Sequence, residues 1–156
     1  METYKIALFG HRDFSHHNQL EARLYPFLRD LIQKGVYIEI YLGRNGEFDL
    51  FAASIVKRVQ RNCGKENIEM SLVLPYLQKD MEAYERYYDN IIIPERIEKV
   101  HPKGAITERN KWMVEESDLL ICFVEKEHGG AYNALKYANK LGKKIINFAK
   151  EKQKDR

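Results

Sequence analysis

Glycine stands beside charged residues in several short segments of the sequence, a combination that suits anion binding. The first segment, Gly10-His11-Arg12, directly follows an apolar run. Glycine at a strand end allows another group to approach the backbone, and arginine can form two parallel hydrogen bonds with a phosphate. The alternative is a plain turn whose arginine bonds the carboxyl end of a helix. The position at a strand end favours the ligand.

The second segment, GRNGEFD at residues 43–49, is a loop with glycine at Gly43 and Gly46 that leads into a helix. Backbone N–H groups at a helix start favour anions. The segment is no Walker loop, because no Gly-Lys-Ser/Thr follows, and the first strand lacks the Gly-x-Gly-x-x-Gly of dinucleotide sites. Glu47 and Asp49 either complement the helix dipole or accept hydrogen bonds from ribose hydroxyl groups, and both interpretations stay open.

The third segment is Gly129-Gly130, which precedes a helix that begins at Ala131. This pair either holds a phosphate at the helix start or forms a plain tight turn. Arg109 and Asn110 occupy the first turn of another predicted helix. Arg109 either reaches a ligand or forms a surface pair with a nearby acid.

Other catalytic and metal-binding patterns are absent from the sequence. His16 and His17 are adjacent, which does not suit one metal ion, and Cys63 and Cys122 are far apart. We therefore expect no metal site and no bound cofactor. No Gly-x-Ser-x-Gly nucleophile motif occurs, so the sequence identifies no catalytic residue.

Composition narrows the class of protein. The 156 residues suit one domain, and 44% hydrophobic with 31% charged residues is a globular balance. A net charge of +3 is too weak to indicate nucleic acid, so we expect no nucleic-acid partner. No apolar run has the length of a membrane span, and we expect no secretory signal and no membrane partner. Two cysteines without a disulfide framework indicate the cytoplasm.

Alternating strand and helix patterns must position these segments. Apolar runs predict six strands, at residues 4–9, 36–42, 68–74, 90–93, 118–124 and 143–148. Helical spacing of apolar residues predicts helices at residues 18–34, 47–62, 77–88, 108–116 and 131–141. Thr107 is the predicted cap of the fourth helix, and residues 94–105 are a predicted loop. We expect one domain over residues 1–148 and a frayed basic tail over residues 149–156.

This alternation predicts an α/β fold: a Rossmann-like, doubly wound, mostly parallel sheet of about six strands with helices on both faces. Ligands bind such sheets outside the carboxyl ends of the strands. Residues 10–12, 43–49 and 128–130 all follow predicted strands. We therefore expect them to lie together at the edge of the sheet formed by the carboxyl ends of its strands, which we call the rim.

Two arginines are expected at that rim. If the first and fifth strands are neighbours, Arg12 and Arg109 overhang the same crevice from opposite sides. We expect both to contact the ligand and neither to support the folded state.

Together these motifs resemble the SLOG superfamily, which joins the DNA-processing protein A fold with the Lonely Guy proteins. The likeness extends from Ile6 to Phe148 and is strongest to the short, single-domain bacterial and phage branch. It rests on the segments FGHR, GRNGEFDLFAASIV, and ERNKWMVEESDLLICFV followed by GGAYNALKYANKLGKKII.

The resemblance implies a sheet that binds a nucleotide or a nucleotide-derived metabolite at the predicted rim. Gly129, Gly130 and the helix they open would hold the phosphate, with Arg109 reaching over the ligand. Residues 10–12 and 46–49 would line the other side. The resemblance also implies a homodimer or a higher homo-oligomer.

Two departures from the family pattern bear on activity. The family has threonine after the two glycines, where this sequence has Ala131 and so loses one hydroxyl contact to phosphate. Lonely Guy hydrolases carry a glutamate six or seven residues after the first glycine, where this sequence has Leu135 and Lys136. A placed carboxylate stabilises the cationic sugar during N-glycosidic cleavage, so its loss argues against hydrolysis.

We therefore expect the protein to sense or sequester its nucleotide-like ligand. The alternative is an N-glycoside hydrolase or phosphoribohydrolase that releases a free base. In that case Glu47, Asp49 or Glu127 would have to supply the missing carboxylate.

Overall fold

One six-stranded sheet organises the protein. The computed structural model describes residues 2–151. Its strands are Thr3–Gly10 (β1), Tyr37–Leu42 (β2), Ile68–Val73 (β3), Asn90–Ile92 (β4), Leu119–Phe123 (β5) and Lys144–Asn147 (β6). All neighbouring strands pair in parallel, in the order β4-β3-β2-β1-β5-β6. The predicted Rossmann-like α/β sheet of six strands is confirmed.

Five of the six described helices lie between strands along the chain, as the crossover connections of a parallel sheet require, and the sixth follows the last strand. The helices are His17–Gln33 (α1), Glu47–Cys63 (α2), Met81–Tyr87 (α3), Ala105–Glu116 (α4), Gly130–Lys140 (α5) and Phe148–Glu151 (α6). Two short 3-10 turns, Glu95–Lys99 and Pro102–Gly104, occupy most of the predicted loop before α4. Within residues 2–151, no helix combines the length and the apolar character that crossing a membrane requires.

Both faces of the sheet are buried, which explains why the strands are apolar runs rather than alternating patterns. On one face, Ile6 and Leu8 of β1 belong to a core that includes buried residues of α1 and α2. On the other face, Ala7 and Phe9 belong to a second core that includes α4 and α5. Because successive residues of one strand anchor both layers, the end of β1 is held firmly in place.

The direction of strand order changes at β1. From β1 the chain builds β2, β3 and β4 on one side and then crosses over to β5 on the other. β1 pairs with β5 from Ile6 opposite Leu119 to Gly10 opposite Phe123, which confirms the predicted neighbourhood. Connections that leave neighbouring strands in opposite directions open a crevice at the carboxyl ends, where such folds bind ligands.

Two predicted helix starts are wrong. α3 begins at Met81 rather than at residue 77, and Leu77 is 73% exposed in the preceding loop. Leu77 fits the apolar spacing of the helix, but the fold leaves it without a core to pack against. α4 begins at Ala105, so Thr107 lies inside the helix and Gly104 takes the cap position. The turn that begins at Pro102 runs directly into α4 and starts it early.

The end of the chain also differs from the prediction. β6 ends at Asn147, and Phe148 belongs to α6 rather than to the last strand. Phe148 is buried against the core beside α1 and α2, which holds this helical turn in place. Residues 149–151 of the predicted frayed tail are therefore helical, and residues 152–156 lie outside the described part of the chain.

Candidate functional site

A cavity of about 370 Å³ opens at the carboxyl end of β1, where the strand order changes direction, and we call it the switch-point cavity. Its volume is in the range of small-molecule pockets. Eleven of the twelve predicted ligand-binding residues line it: Gly10, His11, Arg12, Gly43, Gly46, Asp49, Arg109, Asn110, Gly129, Gly130 and Ala131. The twelfth, Glu47, is exposed outside the cavity lining, and its backbone N–H donates to the carbonyl of Arg12 at 2.9 Å. The segments that the sequence placed on one rim are thus brought together in space.

The two helices that start at the cavity differ in their capacity for an anion. At α2, the carboxylate of Asp49 accepts the backbone N–H of Asn45 at 2.9 Å, and Glu47 adds a second acid to the first turn. The α5 start has no acid in its first turn and no side-chain cap on Gly129. Free N–H groups and the helix dipole therefore favour an anion at α5, whereas α2 already carries negative charge.

Arg109 is the most deeply buried cation of the cavity, with 2% of its surface exposed. Its Nη1 donates to the carbonyl of Val73 at 2.8 Å, and its Nε donates to Oδ1 of Asn110 at 2.8 Å. Burial lowers the pKa of Arg109, and the charge of Asp49 opposes that shift. The bond to a buried carbonyl of β3 argues against the expectation that this arginine does not support the folded state.

Arg109 still has donors to offer. A guanidinium carries five N–H groups, and among the described residues two of them have protein acceptors. The side chain also lines the cavity. A buried guanidinium held by two bonds and open to a cavity is well suited to bind an anionic oxygen.

Asn110 stands between Arg109 and the start of α5. Its Oδ1 accepts from Arg109, which turns its Nδ2 donor away from the guanidinium. A methyl group added to Gly130 would lie 3.5 Å from that Nδ2, so the amide faces the first residue of α5. Side-chain and backbone donors therefore converge on one part of the cavity.

The glycines around the cavity serve close packing at most positions. A Cβ on Gly10 would lie 2.1 Å from the ring of Phe48, and one on Gly43 would lie 2.8 Å from Nη1 of Arg109. A Cβ on Gly46 would lie 2.6 Å from the Cα of Arg12. Gly129 is different: its φ of +97° is a conformation that favours glycine.

His11 lines the cavity, but its acceptor nitrogen is already in use. Nε2 accepts the backbone N–H groups of Glu125 and Lys126, each at 3.1 Å. Burial lowers the pKa of His11, and the charge of Lys126 acts in the same direction. The ring is therefore a neutral acceptor in this arrangement, not the cation that its position beside Arg12 suggests.

Sequence reasoning missed two charged residues of the lining, Asp13 and Lys126. With them, the cavity has three arginine or lysine side chains against two carboxylates, those of Asp13 and Asp49. Asp13 directly follows Arg12 and Lys126 precedes the two glycines, so proximity to the motifs is the signal that could have found them. Burial raises the pKa of Asp49, while the bond from Asn45 opposes the shift.

The two positions at which Lonely Guy hydrolases carry their glutamate lie outside the cavity lining. Leu135 packs against the core, and Nζ of Lys136 lies 5.5 Å from the ring centroid of Tyr132. Neither residue lines the cavity, and the exposed Glu127 does not line it either. Across residues 2–151 there is no group of three or more His, Cys, Asp or Glu side chains that could hold a metal ion.

No protein-family model and no curated protein matches this sequence. Solved structures do match. DNA processing protein A from Streptococcus pneumoniae has a TM-score of 0.63 at 18% identity, over 91% of this chain and 49% of that one. The chain has the fold of the matched part of that protein, which is the fold that the resemblance to the SLOG superfamily predicts. It spans about half the length of the pneumococcal protein.

Two further structures have the same architecture. DNA processing protein A from Helicobacter pylori matches with a TM-score of 0.59 at 18% identity, over 91% of this chain and 63% of that one. The Moco carrier protein of Chlamydomonas rheinhardtii matches with a TM-score of 0.58 at 14% identity, over 96% of this chain and 77% of that one. At these identities the likeness establishes the fold.

The expectation that excluded a nucleic-acid partner is wrong. The Helicobacter pylori protein of the same fold is described with a single-stranded DNA binding mode. Net charge averages over the whole surface, whereas binding depends on local charge. The fold also brings cations onto aromatic rings: Arg44 lies 5.0 Å from the ring centroid of Tyr84, and Lys57 lies 4.8 Å from that of Tyr87. No contiguous stretch of the sequence shows this clustering.

Proposed function

We propose that the protein binds the phosphate of a nucleotide or nucleotide-derived metabolite at the switch-point cavity, as a sensor or a sequestering protein. The observation that carries this proposal is the uncapped start of α5, which faces the cavity beside the donors of Arg109 and Asn110. Backbone N–H groups, an amide and a guanidinium together form the donor set that a phosphate requires.

The two sides of the cavity have different roles in this proposal. The phosphate lies at Gly129, Gly130 and Ala131, and the α2 side, with its own acids, faces the sugar or the base. Asp49 can then accept hydrogen bonds from ribose hydroxyl groups, because a carboxylate is an acceptor and repels phosphate. A cytoplasmic location and a homo-oligomeric state remain predictions from the sequence and the resemblance.

The same phosphate chemistry is offered by a free nucleotide and by single-stranded DNA. A thermal-shift panel separates the two sources: AMP, ribose 5-phosphate, adenosine, and a short oligothymidylate at low and high salt. Ligand at a hundredfold excess over its Kd stabilises a protein by about 2.7 kcal/mol. We expect AMP and ribose 5-phosphate to raise the melting temperature and adenosine to leave it unchanged. Binding of the oligonucleotide alone, with strong salt dependence, would assign the cavity to DNA.

Asn110→Asp tests the phosphate position without removing the bond to Arg109. The new carboxylate still accepts from Nε of Arg109, but it replaces the Nδ2 donor with a negative charge. We expect affinity for AMP to fall at least about tenfold, since hydrogen bonds to charged groups contribute about 1.5–3 kcal/mol. Asn139→Asp, at the exposed far end of α5, makes the same charge change away from the cavity and should bind normally. Equal affinity of both variants would contradict the proposal.

Hydrolysis of an N-glycosidic bond is the second candidate, and Asp49 is the observation that favours it. This carboxylate lines the cavity, and burial raises its pKa, which is common for catalytic acids. Chromatography of AMP incubated with the protein tests this activity. Release of adenine by the wild type and not by Asp49→Asn would support hydrolysis, and no release by either would exclude it for this substrate.

A further inference from the structure

The loop from Val124 to Gly129 carries the start of α5, and it is held to the rest of the fold mainly near β5. At the strand end, Asn147 donates to the carbonyl of Val124 and accepts its N–H, both at 3.0 Å. Residues 125–130 are all exposed. The bonds that His11 accepts from Glu125 and Lys126 therefore tie the backbone in the middle of this loop to the loop after β1.

His16 makes a second contact between the same two loops. Its Nε2 lies 3.0 Å from Oε1 of Glu125, and its ring stacks on Phe123 at 5.1 Å. This contact joins two partly exposed side chains, whereas His11 holds the backbone itself. The position of Lys126, three residues before Gly129, thus depends on whether Nε2 of His11 keeps its lone pair.

We propose that His11 is a positioning residue for the anion site: as a neutral acceptor it holds the α5 start in place, and a proton on its ring releases the loop and weakens phosphate binding. This inference rests on the proposed function, since it concerns the same site. An imidazolium has two N–H donors and no lone pair, so it cannot accept from Glu125 or Lys126.

The charges around His11 favour the neutral ring at neutral pH. Burial lowers its pKa first, Lys126 and His128 lower it further, and Glu125 opposes them. From its own loop Arg12 and Asp13 face the same cavity, and from α2 Asp49 does so. A lowered pKa means that the tie is complete above about pH 6.5 and is lost as the pH falls through the folded value.

The sign of the pH effect separates this proposal from simple electrostatics. Protonating His11 adds positive charge to the cavity, which by Coulomb attraction alone would tighten anion binding at low pH. Release of the loop predicts the reverse.

Inorganic sulfate is the probe, because its charge stays constant where a phosphate monoester itself titrates, near pH 6. Binding to the isotope-labelled full chain is followed by NMR at the amides of Gly130 and Ala131, and the ring signals of His11 report its protonation. We expect sulfate affinity to fall several-fold between about pH 7.5 and about pH 5, because the lowered pKa of His11 places its protonation below about pH 6.5. Over the same range, the amides of Glu125 and Lys126 should lose their hydrogen-bonded shifts and their protection from exchange.

Two variants complete the test. His11→Gln supplies an amide oxygen at a similar reach that accepts hydrogen bonds at every pH, so its affinity should not fall at low pH. His17→Gln removes a neighbouring histidine whose ring packs on Phe51, and it should keep the wild-type profile. Tighter sulfate binding by the wild type at low pH, or the same loss in His11→Gln, would overturn the proposal.

The ligand-free signals distinguish this inference from the proposed function. If sulfate never perturbs Gly130 or Ala131 at any pH, the anion site itself is refuted. If the ring of His11 gains a proton while the amides of Glu125 and Lys126 stay unchanged, the positioning role is refuted, whatever sulfate does.

Discussion

Replacing Arg109 by alanine should destabilise the protein even without a ligand, whereas replacing Arg12 should not. Arg109 is 2% exposed and donates to the carbonyl of Val73 at 2.8 Å. Arg12 is exposed, and it contributes to the fold through its backbone carbonyl, which accepts the N–H of Glu47. The Arg12→Ala variant keeps this carbonyl. The two arginines at one cavity therefore form a matched pair for a mutational test.

The magnitude follows from the contacts that alanine removes. An unpaired buried carbonyl at Val73 costs about 1–3 kcal/mol, and loss of two buried methylene groups costs about 0.8 kcal/mol each. The substitution also removes the cost of burying the guanidinium charge, and this gain offsets part of these losses. The same cost of burial lowers the pKa of Arg109. We expect a net destabilisation of about 2–4 kcal/mol, or about 5–15 °C in melting temperature for a chain of this size. Arg12→Ala should stay within about 0.5 kcal/mol.

Thermal melting and urea denaturation of both variants, with and without AMP, measure this difference. Both variants should bind AMP more weakly, because hydrogen bonds to a charged phosphate are lost. An Arg109→Ala protein that melts within about 2 °C of the wild type would refute the structural role of the buried guanidinium. Intact AMP affinity in both variants would instead refute their place at the phosphate.

Two further predictions concern packing and pH. Gly43→Ala should lower the free energy of unfolding by about 1–3 kcal/mol and weaken AMP binding, because the new Cβ would lie 2.8 Å from Nη1 of Arg109. Gly130→Ala is the control: its new Cβ would lie 3.5 Å from the nearest atom, so this variant should be as stable as the wild type in the same melts. The bond from Arg96 lowers the pKa of Glu115, so this carboxylate adds stability above about pH 4.5 and loses it as the pH falls below that value. Denaturation of Glu115→Gln should therefore show a flatter loss of stability in acid, and a loss identical to the wild type would contradict this assignment.

Local signals in the sequence located the strands and the segments that follow them. The apolar runs of β1 and β5 are buried on both faces of the sheet, so they needed no alternation to be found. Once strands alternate with helices, parallel pairing places every strand end on one edge. The positions of residues 10–12 and 129–131, and of Gly43, Gly46 and Asp49 between them in sequence, at one cavity follow from that rule.

What the side chains do there was decided only by the tertiary structure. Arg109 finds its acceptor on Val73, 36 positions away, and His11 finds its donors on Glu125 and Lys126, more than 100 positions away. A sequence pattern shows that an arginine or a histidine follows a turn, but whether it meets solvent, a ligand or a buried backbone group depends on which distant segment packs against it. Local periodicity therefore determined where the candidate site lies. Long-range packing determined that Arg109 also donates a hydrogen bond to the backbone of the fold and that His11 is a neutral acceptor.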